Sequence, residues 1–135
     1  MFRNGALVGT GEVDNVPGGS SGFNNAKDRA ISLALTSPGT DPVCSGDSLS
    51  IRLSVRVTAV GGHRSGTARL WYNDAQANSR FDATIGGVNM NLYLLNGFVL
   101  GTSPGVGPKL TIDVFSDRAK NGNPWIPFGT WIKTF

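Results

Sequence analysis

Apolar and polar residues alternate almost without exception over residues 49–60. Successive side chains of a β-strand point to opposite faces, so the alternation predicts a strand with one dry face. We predict that Val55 and Val57, on the apolar side, are almost fully buried, together with Leu70 of the next alternating segment. Arg52 and Arg56 belong to the opposite, polar side. The apolar positions are Leu49, Ile51, Leu53, Val55, Val57 and Ala59.

A second alternating segment, residues 67–73, follows a glycine-rich loop, and the two segments together predict a β-hairpin. With Val60 opposite Thr67, apolar residues face apolar residues, whereas a slip by one residue would pair apolar with polar positions. In this register Arg56 lies directly across from Trp71. The outer face of the hairpin is therefore expected to carry Arg52, Arg56, Arg69, Trp71 and Asn73.

Shorter alternating segments bounded by Gly, Pro and Asn predict further strands. For residues 29–36 a short helix over residues 26–34 is the alternative, because Ala and Leu also recur there at helical spacing. Asn96-Gly97 predicts a type I′ hairpin turn, and Pro127 predicts a strand start or a sheet edge. The segments are residues 5–13, 29–36, 80–85, 88–94, 98–100, 110–115 and 125–135.

Eight or nine strands without a convincing helix predict an all-β protein, and 135 residues fit a single domain over residues 1–135. The predicted architecture is a two-sheet antiparallel β-sandwich of jelly-roll type. The Cys-Trp-Cys pattern of immunoglobulin domains is lacking, which favours the jelly roll. A closed β-barrel is the alternative.

Composition narrows the classes of partner. The chain has 12 basic and 9 acidic residues, a net charge of +3, and its basic residues are scattered. No basic run or nucleic-acid-binding motif occurs, so we predict no nucleic-acid partner. No apolar stretch is long enough for a membrane helix, and the first apolar run is too short for a signal peptide. A secreted and a cytosolic domain both fit, of which we favour the extracellular or cell-surface location.

Candidate catalytic chemistry is sparse. Gly46-Asp47-Ser48-Leu49 resembles the nucleophile segment of a serine esterase family, but the companion Asp-x-x-His is absent. The single histidine, His63, falls in the predicted hairpin loop, where nothing orients it as a general base. Cys44 is the only cysteine, which excludes an intrachain disulfide. We therefore predict no catalytic residues.

Two sets of side chains could offer oxygen ligands to Ca²⁺. Neither set has the spacing of an EF-hand, and we predict solvated turn residues and no cofactor. The sets are Asp74, Asn78 and Asp82, and Asp113, Asp117 and Asn121.

The pairing of arginine with tryptophan is the most specific functional pattern. Sugar C–H faces stack on indole rings, while hydroxyl and acidic groups accept hydrogen bonds from arginine. We predict a non-catalytic recognition module for carbohydrate binding or adhesion, with a glycan or another polar ligand. The structural alternative for Arg56 and Trp71 is a cross-strand pair that stabilises a hairpin by about 0.5–1 kcal/mol.

The alternative function is a structural subunit. Such a protein would self-assemble into a surface layer, filament or shell, as a homo-oligomer joined through sheet edges or through the aromatic C-terminus. Loose chain ends are usually polar, whereas the last residues here are rich in aromatic side chains.

Overall fold

A computed structural model describes residues 1–16, 19–36, 42–57, 65–117 and 125–135. These residues form strands and two short 3₁₀ turns, Phe23–Asn25 and Asn96–Phe98, and contain no α-helix. The all-β class is confirmed. The strands are β1 (Phe2–Arg3), β2 (Ala6–Leu7), β3 (Gly9–Thr10), β4 (Ala34–Leu35), β5 (Ser48–Val55), β6 (Ser65–Asp74), β7 (Arg80–Ile85), β8 (Val88–Leu95), β9 (Val99–Gly101), β10 (Val106–Asp117) and β11 (Ile126–Thr134).

Seven strands make one sheet in the order β2-β1-β5-β11-β9-β8-β7. β5 pairs antiparallel with β1 and, on its other side, with β11, where Ile51 faces Trp131. A parallel bridge between Ile132 and Val99 joins β11 to β9. The strands β9, β8 and β7 then follow as antiparallel neighbours. The strand nearest the C-terminus of the sequence therefore lies in the interior of the sheet.

The remaining strands form two small sheets. β6 and β10 make a two-stranded antiparallel ribbon in which Tyr72 faces Leu110, and β3 pairs with β4. The ribbon packs its apolar side against the apolar side of the large sheet: the Tyr72 ring meets the Trp131 ring edge to face, with centroids 5.5 Å apart. The buried cluster consists of Ile51, Tyr72, Leu92, Leu94, Leu100 and Trp131.

The predicted hairpin between residues 49–60 and 67–73 is wrong. β5 takes β11 as its neighbour, so Val55 faces Ile126, and Tyr72 faces Leu110. Alternation determines which face of a strand is dry, but every strand with the same alternation offers an equivalent partner. On the dry face of β5, β11 places Trp131 opposite Ile51 and Ile126 opposite Val55.

The structure confirms part of the predicted assignment of residues to the two faces of β5. Leu49 and Ile51 are buried, while Arg52 and Arg56 are exposed. Val55, Val57 and Leu70 are only half-buried, so the prediction of their nearly complete burial is wrong. Val55 ends β5 and Val57 follows it, so both lie beyond the most deeply buried part of the strand.

The predicted sandwich of two sheets is not confirmed. One sheet has seven strands, and the layer packed on it is a ribbon of two strands. The described residues form no closed barrel either, since β2 and β7 end the large sheet. None of the described segments is a helix with the length and apolar character needed to cross a membrane.

The hairpin turns show how asparagine-glycine pairs act. Asn4-Gly5 joins β1 to β2 with φ of +50° and +80°, as a two-residue turn between paired strands requires. Asn96-Gly97 does join β8 to β9, as predicted, but the positive φ values fall on Gly97 (+73°) and Phe98 (+59°). The predicted type I′ turn centred on Asn96 and Gly97 is therefore wrong by one residue.

Pro127 lies at the start of β11, beside a register shift in its pairing with β5. The predicted strand start is confirmed. β11 as a whole is an interior strand, because it pairs with β5 along most of its length and with β9 at Ile132.

Candidate functional site

The five predicted site residues do not form one site, and only Arg69 and Trp71 lie together on the outer face of the ribbon. Arg52 is on the solvated face of the large sheet, with its guanidinium carbon 4.9 Å from the Phe2 ring centroid. Its Nε donates to Thr130 Oγ1 on β11 at 3.4 Å. The pKa of the Met1 amino group is lowered by partial burial and by the positive charge of Arg52.

Arg56, just after β5, pairs with Trp125 and not with Trp71. The Arg56 guanidinium carbon lies 4.6 Å from the Trp125 ring centroid, within the range of a cation–π contact. Arg56 Nη2 also donates to Glu12 Oε1 at 2.7 Å. About half of the Trp125 surface, 49%, is open to solvent. We call Glu12, Arg56 and Trp125 the Trp125 cluster.

Arg69 and Trp71 lie on the outer face of the ribbon, opposite the buried Tyr72, as the alternation predicts. Arg69 Nε forms an ion pair with Asp113 Oδ1 on β10 at 3.0 Å. The Trp71 ring meets the Phe23 ring edge to face at 5.6 Å and is half-buried. These contacts give Trp71 a packing partner outside the core.

Phe23 itself is covered by Lys109. The Lys109 Nζ lies 3.8 Å from the Phe23 ring centroid and donates to Gln76 Oε1 at 2.8 Å. The ribbon therefore carries a small aromatic cluster of its own, to which Trp71 belongs. It is separate from the Trp125 cluster, and the predicted contact of Arg56 with Trp71 is wrong.

Asn73 is buried, with 7% of its surface exposed, so its predicted position on the outer face is wrong. Its Oδ1 accepts the backbone N–H of Asn96 at 3.2 Å, and its own φ is +67°. Asparagine tolerates the left-handed conformation better than most residues. This side chain holds the end of β6 against the turn after β8.

The structure also shows a polar depression along β7 and β8 that the sequence reasoning missed. The Thr84 hydroxyl donates to Asn89 Oδ1 at 2.8 Å, and Arg80 Nε donates to Asp82 Oδ1 at 2.9 Å. The depression has a volume of about 430 Å³ and is lined by Asp82, Ala83, Thr84, Asn89, Met90 and Asn91. Alternating polar residues in the two strands were the available signal. The lining contains no aromatic ring.

Three acidic side chains of the two sets considered for Ca²⁺ have protein partners. Asp74 Oδ1 accepts the backbone N–H of Gln76 at 2.8 Å, Asp82 binds Arg80, and Asp113 binds Arg69. Across the described residues there is no group of three or more His, Cys, Asp or Glu side chains able to hold a metal ion. Asn121 lies outside those residues.

In the segment that resembles an esterase nucleophile block, Asp47 and Ser48 form hydrogen bonds that hold neighbouring parts of the fold together. Asp47 Oδ2 accepts from Arg3 Nη2 at 2.6 Å and from the backbone N–H of Cys44 at 2.8 Å, while Oδ1 accepts from Asn4 Nδ2 at 2.8 Å. Ser48 donates its backbone N–H to Asn4 Oδ1 at 2.8 Å. His63 lies outside the described residues. Asp47 thus ties the β1–β2 turn to the start of β5.

These hydrogen bonds, with that from the Asn4 side chain first, and the Arg3 charge lower the pKa of Asp47 from 3.8 to about 2. A carboxylate with a lowered pKa stabilises the folded state above its ordinary pKa, and this contribution is lost as the pH falls through the folded value.

We expect Asp47→Asn to be less stable than the parent protein at pH 7. The difference should shrink as the pH falls from 3.8 to about 2, the interval between the two pKa values. Urea unfolding followed by circular dichroism at a series of pH values measures it. Asp28→Asn, a change at an exposed carboxylate, is the control. A stability difference that does not vary with pH would contradict the role given to the Asp47 charge.

Comparisons of this chain with protein-family models, with curated proteins and with solved structures found no match.

Proposed function

We propose that this protein is a non-catalytic recognition module that binds a glycan or a similar polar ligand at the Trp125 cluster. One observation carries the proposal: a half-exposed indole is held by a guanidinium whose charge is balanced by a carboxylate. Of the predicted site residues, Arg56 is the one that belongs to this cluster.

The exposed half of the Trp125 ring supports stacking. Indole is the aromatic ring that best combines a large apolar face with a polar edge, so it can accept the C–H face of a sugar without burying a charge. The Arg56 contact restricts the ring before ligand arrives, which reduces the entropy lost on binding. Such a ring is a preformed platform for a flat, partly apolar ligand.

The polar partners beside the ring support recognition of hydroxyl groups. Arg56 uses Nη2 for Glu12, and a guanidinium has further N–H donors. Both side chains stay accessible, with 37% of the Arg56 side chain and 42% of the Glu12 side chain exposed. A donor and an acceptor next to one ring match the alternating hydroxyl and C–H surfaces of a saccharide.

Trp125→Ala is expected to weaken binding to a retained polysaccharide by about tenfold or more, equivalent to about 1.4 kcal/mol. Stability should change by about 1 kcal/mol or less, because exposed cation–π pairs contribute on that scale. Affinity electrophoresis against a panel of soluble polysaccharides, followed by calorimetry on those that retard the parent protein, measures binding, and urea unfolding measures stability.

The matched control is Trp71→Ala, which removes the same side chain from the ribbon. It should leave retention unchanged, although it loses the Phe23 contact. If Trp125→Ala binds like the parent protein, or if only Trp71→Ala loses binding, the Trp125 cluster is not the ligand site. A parent protein that no polysaccharide retards would count against the carbohydrate proposal as a whole.

A structural subunit is the second candidate function. It is favoured by β2 and β7, which end the large sheet among the strands that the structure describes, since unpaired sheet edges can template assembly.

A further inference from the structure

β7 ends the large sheet, and no described strand pairs with its outer edge. The backbone N–H of Leu94 donates to Ser79 O at 2.9 Å, so residue 79 belongs to the narrow, hydrogen-bonded pairs of the β7–β8 ladder. The odd residues of β7 therefore direct their main-chain groups toward β8. The main-chain groups of Arg80, Asp82 and Thr84 point away from the sheet.

The outer edge carries two opposite charges on one face. Arg80 and Asp82 are two residues apart, and both point to the solvated side of the sheet. Their side chains are 37% and 55% exposed. A strand with a positive and a negative side chain two residues apart is complementary in charge to an antiparallel copy of itself.

We propose that two copies of this chain pair antiparallel through β7 about a two-fold axis at Phe81. In this register Arg80 of each copy faces Asp82 of the other, and these are the residues whose main-chain groups are free to form the ladder. Each carboxylate then lies between two guanidinium groups. Opposite charges directly across a strand pair stabilise it, whereas like charges destabilise it.

Other registers of the same strand are less complementary. An axis at Asp82 would place the two Asp82 side chains directly opposite each other. An axis at Ala83 would face Asp82 with Thr84 and leave Arg80 beyond the paired segment. A shift to an odd register would bring the apolar face of one copy beside the polar face of the other.

The apolar side of β7 fits the same axis. Phe81 is half-buried and lies on the core side of the large sheet, packed against the buried cluster. About the proposed axis the two Phe81 side chains would be direct neighbours in a non-hydrogen-bonded pair, where side chains are closest. The opposite edge of the sheet, β2, has only two residues, Ala6–Leu7, and offers a much shorter ladder.

This dimer does not depend on the proposed glycan site. In the strand order β7 lies at the far end of the sheet from β5, and β8, β9 and β11 separate the two. A result that contradicts one of the two proposals therefore does not contradict the other.

Sedimentation velocity over a wide range of protein concentrations tests the proposal. The parent protein should shift from monomer to dimer as its concentration rises, and the dimer should weaken with added salt because its charges are partly exposed. Asp82→Arg and Arg80→Asp should each weaken dimerisation at least about tenfold, since each places like charges across the axis. The double variant Arg80→Asp with Asp82→Arg should restore it.

Asp113→Arg is the matched control, because Asp113 is an equally exposed carboxylate in an ion pair with Arg69 on the ribbon. It should dimerise like the parent protein. A parent protein that stays monomeric at all concentrations overturns the proposal. So does a double variant that behaves like the single ones, or an assembly that grows beyond two copies.

Discussion

Trp131→Ala is expected to lower the free energy of unfolding by about 3–5 kcal/mol, the range for removing a buried tryptophan. The side chain is fully buried, and its ring meets those of Tyr72 and Phe98 edge to face at 5.5 and 5.4 Å. Its Nε1 donates to the Leu95 carbonyl at 3.1 Å, so the alanine variant also leaves that acceptor without its partner.

Chemical unfolding monitored by far-ultraviolet circular dichroism measures the loss. Trp125→Ala, at the half-exposed tryptophan directly before β11, is the control and should cost about 1 kcal/mol or less. A loss below about 1 kcal/mol for Trp131→Ala would contradict the position of this ring at the centre of the core.

Gly105→Ala is expected to cost about 2–3 kcal/mol through overpacking. A Cβ at this position would collide with the side-chain Oδ1 of Asn73 and lie 2.5 Å from the Asn73 backbone oxygen. A backbone atom cannot rotate away, and Asn73 is buried, so the segment after β9 must shift. The shift would also disturb the hydrogen bond from Asn96 to Asn73.

The control for this change is Gly107→Ala, two residues further along the chain in β10. Its Cβ would approach no atom closer than 3.7 Å, an ordinary contact with Asn73 Nδ2. Thermal unfolding should place Gly107→Ala near the parent protein and Gly105→Ala well below it. Equal melting temperatures for the two variants would show that Gly105 does not require the space that its missing side chain leaves.

Alternation of apolar and polar residues was enough to predict several strands and their faces. Leu49 and Ile51 are buried where the pattern placed them, and Trp71 lies on the opposite side from Tyr72. A period of two residues is a local property of the strand itself. The strand predicted over residues 29–36 is much shorter in the structure, where only Ala34–Leu35 forms a strand, which pairs with β3.

Strand partners could not be predicted in the same way. The choice of β11 as the neighbour of β5 depends on packing among many strands at once, and alternation treats all partners alike. Nearness in sequence favoured the hairpin to residues 67–73, and this preference was misleading here. Because of this error, Trp71 was predicted as the neighbour of Arg56, which in the structure contacts Trp125.

The candidate site was therefore only partly visible in the sequence. The sequence predicted that Arg56 contacts a tryptophan, but it gave Trp71, whereas the structure has Trp125. The contact of Glu12 with Arg56 was not predicted: Glu12 falls in the strand predicted over residues 5–13, whereas in the structure it reaches Arg56 from a segment after β3 without regular secondary structure. Asn73 had a polar side chain in a strand, which alternation assigns to solvent, while its buried hydrogen bond to Asn96 depends on tertiary packing.

The interior position of β11 has a consequence for folding kinetics. Residues near opposite ends of the sequence must meet before the large sheet is continuous, since β11 pairs with β5 and β5 with β1. Closing such long loops costs chain entropy before any contact repays it, and β proteins dominated by these contacts fold in about milliseconds to seconds. The local hairpins β7–β8 and β8–β9 can form early. Joining these hairpins to β5 through β11 is then the slow step. The apolar face of β8 stays exposed to solvent until this step is complete.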